Sequence, residues 1–175
     1  MQQNDLVSDY SLDEILVHVS IGKSCLSYLV YIGDQNPSIS KRLYLRFPLL
    51  HYAAYSWQYH LLKLEGRPWD LSLEQLAFNF LTYGSRAWQI WSTVGFYEGA
   101  HNYNVSAPSM LPFIRPRIAD PANTTQIHPM TWIAFMGLNS ILRKFISRRP
   151  DWNSIPETPF LGSPLYAAVC KLTSN

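Results

Sequence analysis

The stretch Phe47–Gly66, FPLLHYAAYSWQYHLLKLEG, constrains the fold more than any other part of this chain. Leu50, Ala53, Ala54, Trp57, Leu61 and Leu64 recur at the spacing that sets side chains on one face of a helix. Pro48 suits the first turn, where the amide it lacks would have had no partner. Gly66, tolerant of positive φ, and Pro68, unable to continue a helix, mark the end. Two adjacent alanines admit a second helix at close range and Trp57 supplies bulk, so this is a packing helix that demands no chemistry.

The same grammar governs the chain on both sides. Ser11 and Glu14 form the S-x-x-E pattern of a capping box, predicting a helix from about Leu12 with Ile15, Val19, Leu26, Leu29 and Val30 as its stripe. Gly22 is its weak point, a place to kink or split, and Gly33 followed by Pro37 ends it. Ser40–Arg46 is a short connection. Beyond Pro68, Ser72 with Gln75 repeats the capping pattern before Leu73, Leu76, Ala77, Phe80 and Leu81. Gly84 interrupts, and Ser85 can cap a further helix carrying Trp88, Ile90 and Trp91 to about Val94. Residues 11–94 therefore predict four helices with short links, an antiparallel helical array, preceded by a disordered tail at 1–10. Over 95–127 the pattern stops. Pro108, Pro112, Pro116 and Pro121 forbid a long helix or central strand there, and so long a loop is expected to mark a boundary.

The most specific signal follows. His128–Leu138, HPMTWIAFMGL, opens a helix; Asn139–Ser147 reads as its partner, with Ile141, Leu142, Phe145 and Ile146 inward; Asp151 and Asn153 make a turn. At Ser163 the opening recurs as SPLYAAVCKL, and Pro129 and Pro164 stand 35 positions apart.

Composition narrows the function classes. Charged residues are 15% of the 175, against about 25% in an ordinary soluble domain, while 47% are hydrophobic and 14% aromatic. Such a chain has a real core and leaves apolar surface over, which suits a piece of something larger. A formal charge of +2 is too small to argue for nucleic acid, and a solvated helix face accounts for the cluster Arg143, Lys144, Arg148 and Arg149. Cys25 and Cys170 give no zinc or redox spacing and are expected as buried free thiols in a reducing compartment. The polar, acidic N-terminus resembles no secretory or transit peptide, and no run approaches the ~20 apolar residues of a membrane span. A cytoplasmic location with no membrane partner is therefore expected, and the sequons at Asn104 and Asn123 carry little weight.

No constellation points to catalysis, a cofactor or a metal. Gly22-Lys23-Ser24 ends like a P-loop, but Val17 stands where the motif needs glycine. His51 and His60 share a helix on opposite faces, since nine residues at ~100° each make about 900°. His18 and His101 have no acidic or cysteine companion at ligand spacing. Asp13 and Glu14 serve the helix dipole, and Ser8, Ser11, Ser20, Ser24 and Ser27 lie in no nucleophile elbow. Trp57, Trp69, Trp88, Trp91 and Trp132 are expected in the core, with Trp152, beside the Asp151 turn, as the exception.

The 128–175 segment resembles the ankyrin repeat, whose pattern runs T-P-L-H-x-A-A, two residues, G-H, an apolar helix and a Gly-Ala-Asp-x-Asn turn. Pro129, Met130, Ala134 and Gly137 match the first helix; Ile141, Leu142, Phe145 and Ile146 match the second; Asp151 and Asn153 match the turn. The 35-position recurrence compares with about 33 for the repeat. Ile133 and Trp132 depart from the pattern, and the second copy has Leu172 for glycine or lacks one residue. Upstream, Cys25–Leu29, Phe47–His60 and the Trp88 helix resemble the helical segment that links a NACHT nucleotide-binding module to ankyrin repeats in large fungal receptor-like proteins.

The resemblance implies an all-α, α-solenoid-like architecture: the helical array, then a degenerate ankyrin-type region of one repeat plus an incomplete second. It implies a protein partner met through Asp151, Trp152, Asn153 and His128, with no nucleotide, nucleic acid or cofactor. The expectation is a non-enzymatic protein–protein interaction module in which the array caps the repeat, or else a fragment or truncated relative of a larger receptor or scaffold. The alternative is a small helical ligand-binding protein or enzyme with a pocket between the aromatic helices and the 101–126 loop.

Overall fold

The computed structural model describes residues 13–38, 43–94, 127–148, 155 and 162–172. Every regular element among them is an α-helix: α1 Glu14–Asp34, α2 Leu43–Arg46, α3 Leu50–Leu62, α4 Leu71–Phe80, α5 Arg86–Ser92, α6 Pro129–Met136, α7 Asn139–Arg148 and α8 Pro164–Leu172. The expected tail at 1–10, the proline-rich stretch through Gln126 and the turn residues Asp151, Trp152 and Asn153 lie outside the described residues.

Helix α1 is capped by Asp13, whose carboxylate accepts from the amides of Ile15 at 2.9 Å and Leu16 at 3.4 Å. The described helix thus starts later than the Ser11 pattern predicts, and Ser11 is outside the described residues. Gly22 neither kinks nor splits it. That residue is buried where α3 crosses, and a Cβ there would meet Leu61 Cδ2 at 3.3 Å, so the missing side chain brings two helices together. Gly33 does the same for α5 more severely, because a Cβ would stand 2.6 Å from the Ala87 nitrogen.

At 21 residues α1 is long and apolar enough to cross a membrane, contrary to the sequence expectation that no run reaches that length. Its Cys25, Leu26, Leu29 and Ile32 are buried in the common core, and its Lys23 pairs with Asp70 at 2.7 Å. Those are the contacts of a core helix, with α3, α4 and α5 packed against it.

The supposed connection before the central helix contains the single turn α2, which buries Leu43. Helix α3 is shorter than Phe47–Gly66: Pro48 sits in the turn ahead of it, and the N-cap Leu49 makes no side-chain cap bond. All six residues of the anticipated stripe are buried to within 1%. Helix α4 also begins differently from the Ser72 expectation. Asp70 is its cap, accepting from the Leu73 amide at 2.9 Å, while Ser72 donates to the same carboxylate and Gln75 turns to Asn79. A carboxylate is the stronger acceptor, and it wins the exposed amide. Gly84 at φ 78° and the Ser85 cap on Trp88 are as anticipated.

Helix α6 is the centre of the C-terminal part. His128 caps it and Pro129 takes its first turn; Gly137 leaves it at φ 79°, with Leu138 N–H donating to Ile133 O and Gly137 N–H to Ala134 O, the two bonds of a Schellman motif. Pro129 through Phe135 are all buried, as expected of a helix apolar all round. Both α7 and α8 pack on it, and Trp132 meets Trp91 at 5.4 Å, joining it to the array.

Replacing Gly33 with alanine forces α1 and α5 apart and is expected to cost about 1–3 kcal/mol. Gly66→Ala, at φ 77° with open space around its Cβ, should cost only about 1 kcal/mol. Urea unfolding of the two variants beside the parent checks the order.

Candidate interaction site

Of the four residues that the sequence points to for partner contact, the structure describes His128. Its Nδ1 accepts from the Met130 amide at 3.2 Å, and its ring stacks on Tyr83 at 4.7 Å between centroids. At 8% exposure it joins α6 to the end of α4 and offers little surface. Asp151, Trp152 and Asn153 are outside the described residues.

The polar side of the seam between the array and the C-terminal helices is built from one ridge of α7. Ser140, Lys144 and Arg148 fall at i, i+4 and i+8, so they stand above one another on the face turned to α4. Glu65, in the turn after α3, accepts from the Ser140 amide at 3.0 and 3.2 Å and from its hydroxyl at 3.0 Å. A carboxylate there satisfies donors that a helix start leaves open and complements its dipole. One turn on, Glu74 of α4 is buried and pairs with Lys144, and with Arg148 at 3.8 Å. Phe145 packs on Phe78 at 4.4 Å, and the Arg148 guanidinium lies 4.0 Å from the Phe78 ring centre. Two members of the basic cluster therefore serve the fold, and Arg143 remains on the exposed side.

The outer face of α8 is of a different kind. Ala167 is buried, whereas Leu165, Tyr166 and Val169 are 71%, 60% and 47% exposed. Gly162, at φ 61°, lies under the Tyr166 ring, where a Cβ would come within 3.0 Å, so the turn holds the tyrosine in place. A second exposed set runs along α3 as Tyr52, Tyr55 and Tyr59, with Leu49 before them.

The space between the aromatic helices is filled, with Trp57 edge-on to Phe80 at 5.1 Å and to Trp91 at 5.7 Å. Two open clefts of about 270 and 340 Å³ flank Asn79 and Thr82, one beside Phe78, Phe145 and Arg148, the other beside Asp34 and Arg86. The Lys23 ammonium, then the Leu73 amide, hold the Asp70 carboxyl at about 2, and Lys23 sits mid-helix on that carboxylate. Cys25 is a buried free thiol, pushed up to about 11 by burial, and is protonated at neutral pH.

One cluster was missed in the sequence. His18, read there as lacking an acidic companion, lies 3.5 Å from Glu14 one turn back, and its Nδ1 is 2.8 Å from Nδ1 of His60 on α3. The i, i+4 spacing of Glu14 and His18 was the legible signal; the cross-helix partner was not. Among the described residues, no group of three or more His, Cys, Asp or Glu side chains could hold a metal ion.

No family model, curated protein or solved structure matches this chain.

Removal of the Glu74 carboxylate leaves Lys144 and Arg148 facing a half-buried gap. Glu74→Ala is expected to lower stability by about 1–3 kcal/mol, against about 0.5 kcal/mol or less for Arg143→Ala, in parallel thermal or urea unfolding.

Proposed function

We propose that this chain is a non-enzymatic protein–protein interaction module, in which the helical array caps an ankyrin-type repeat. The observation that carries it is the placement of α6 and α8. Both open on a cap residue followed by proline, His128-Pro129 and Ser163-Pro164, and the two helices pack against one another. First helices of successive repeats stack in this way in a solenoid. Helix α6 is buried all round because the array covers one side of it, α7 another and α8 a third. The array thereby supplies the cover that a single repeat cannot supply for itself. The exposed Leu165, Tyr166 and Val169, with Asp151, Trp152 and Asn153 as the sequence suggests, are the proposed contact residues. Apolar and aromatic side chains at such positions act as interface anchors.

Appending two consensus ankyrin repeats after Asn175 tests the architecture. A single transition shifted upward by 10 °C or more is expected if α8 stacks as a repeat helix; two separate transitions would overturn the ankyrin reading. Affinity capture with the parent and with Leu165→Glu and Trp152→Ala tests the function. Leu165 is exposed, so the variant should keep the parent's melting temperature to within a few degrees. At least one binary partner, reconstituted from purified protein, should lose tenfold or more in affinity for the variants. Equal affinity for all three chains sinks the assignment of this surface.

A further inference from the structure

His18 and His60 face each other across the α1–α3 contact at 8% and 6% exposure. Their Nδ1 atoms are 2.8 Å apart while the ring centres are 5.0 Å apart. An imidazole nitrogen lies about 1.1 Å from its own ring centre, so these distances mean that the rings meet nearly head-on, sharing one hydrogen between two nitrogens. Glu14 Oε1, 3.5 Å from the far nitrogen of His18, favours the hydrogen there, which directs the chain from His60 through His18 to Glu14.

Proton count decides what this chain of groups can do. The neutral pair carries one hydrogen between the rings, and a first added proton leaves that bond intact, because a cationic donor still faces a neutral acceptor. The second puts a donor on both nitrogens at 2.8 Å, and the contact must open. Burial, and then the charge on His18, depress the pKa of His60, in the same direction.

Apart from Glu14, which faces the far nitrogen of His18, the charges on the elements packed against the pair are engaged elsewhere. On α1, Glu14 is exposed, and Lys23 is satisfied by Asp70 at the start of α4. On α3, Tyr59 presents its ring to His18 at 5.7 Å, and Lys63 lies over that same tyrosine. Glu74 of α4 is taken by Lys144 and Arg148, and Arg86 of α5 donates to the Pro37 carbonyl and to Gln89.

The apolar burial of α1 is uneven. Before Gly22 only His18 is buried, with Ile15, Val17, Val19 and Ile21 half-buried and Leu16 exposed; after it, Cys25, Leu26, Leu29 and Ile32 are all buried within 3%. In the first two turns the histidine is thus the one buried side chain, with Ile15, Val19 and Ile21 packing only partly on the core, whereas the rest of the helix is anchored by buried apolar residues. Gly22, which shares with Gly33 the lowest helix propensity in α1, lies at the junction.

We propose that Glu14, His18 and His60 form a proton-responsive latch, which holds the first two turns of α1 on α3 at neutral pH and releases Glu14–Ile21 at Gly22 when both imidazoles are protonated. The sign follows from linkage. The unfolded histidine takes its proton near pH 6.5, and buried His60 resists it, so the contact's contribution is full above that pH and is lost as pH falls below it.

Residue-resolved amide exchange on the whole chain, corrected for intrinsic rates, tests this at pH 7.5 and 5.0. Protection over 15–21 is expected to fall at least tenfold more than protection over 26–32, and His60→Gln should abolish that difference between the two pH values. An equal fall in both segments, no fall in either, or an undiminished response in His60→Gln would overturn the latch. Should His60→Gln fail to fold, the comparison of the two segments in the parent chain decides alone.

Discussion

One cluster of aromatic rings joins α3, α4, α5 and α6 at the centre of this fold. Trp57 of α3, Phe80 of α4, Trp88 and Trp91 of α5 and Trp132 of α6 touch in succession, mostly edge-on or tilted, as ring quadrupoles prefer. Each large ring buries roughly 150–250 Å², and cutting one to alanine in a core typically costs about 3–5 kcal/mol. The cluster also fixes direction. The Trp91 indole donates to the Ala54 carbonyl at 2.8 Å and the Trp88 indole to the Ile127 carbonyl at 3.0 Å, so the second bond ties the array to the segment that opens α6.

With that centre in place, the polar groups orient what the rings hold together. Glu65 and Glu74 each accept from α7, one at its first turn and one along its flank, and so set where α7 lies on α4. Their targets are a helix start and a basic ridge, which match the carboxylates in charge and in the 5.4 Å pitch of a helix turn. A chain with so few charges spends several of them on this one contact. The face of α8 that carries Leu165, Tyr166 and Val169 is exposed and apolar.

The histidine pair adds a second way of joining helices, one whose strength depends on protons. The hundred-degree argument that separates His51 from His60 holds within α3: His60 is buried and His51 is half-buried. It says nothing about which residue of another helix comes opposite, and there the partner of His60 is His18, 42 positions away. Pairing across helices is set by crossing angle and depth, which no periodicity within one helix contains.

Local sequence determined the helices and much of their inner faces: the Leu50–Leu64 stripe, the Ser85 cap, the left-handed glycines 66, 84 and 137 in the turns after α3, α4 and α6, and the buried tryptophans 57, 69, 88, 91 and 132. These depend on spacing and on backbone freedom, both carried by neighbouring residues. The cap of α4 was less legible, because Asp70 competes with the nearby Ser72 and prevails by charge. Only tertiary structure decided that Gly22 and Gly33 are points of helix contact, that Lys144 and Arg148 belong to Glu74, and that His18 meets His60. Each of these joins residues far apart in the chain, and their meeting is fixed by how the helices cross, a property of the packed whole.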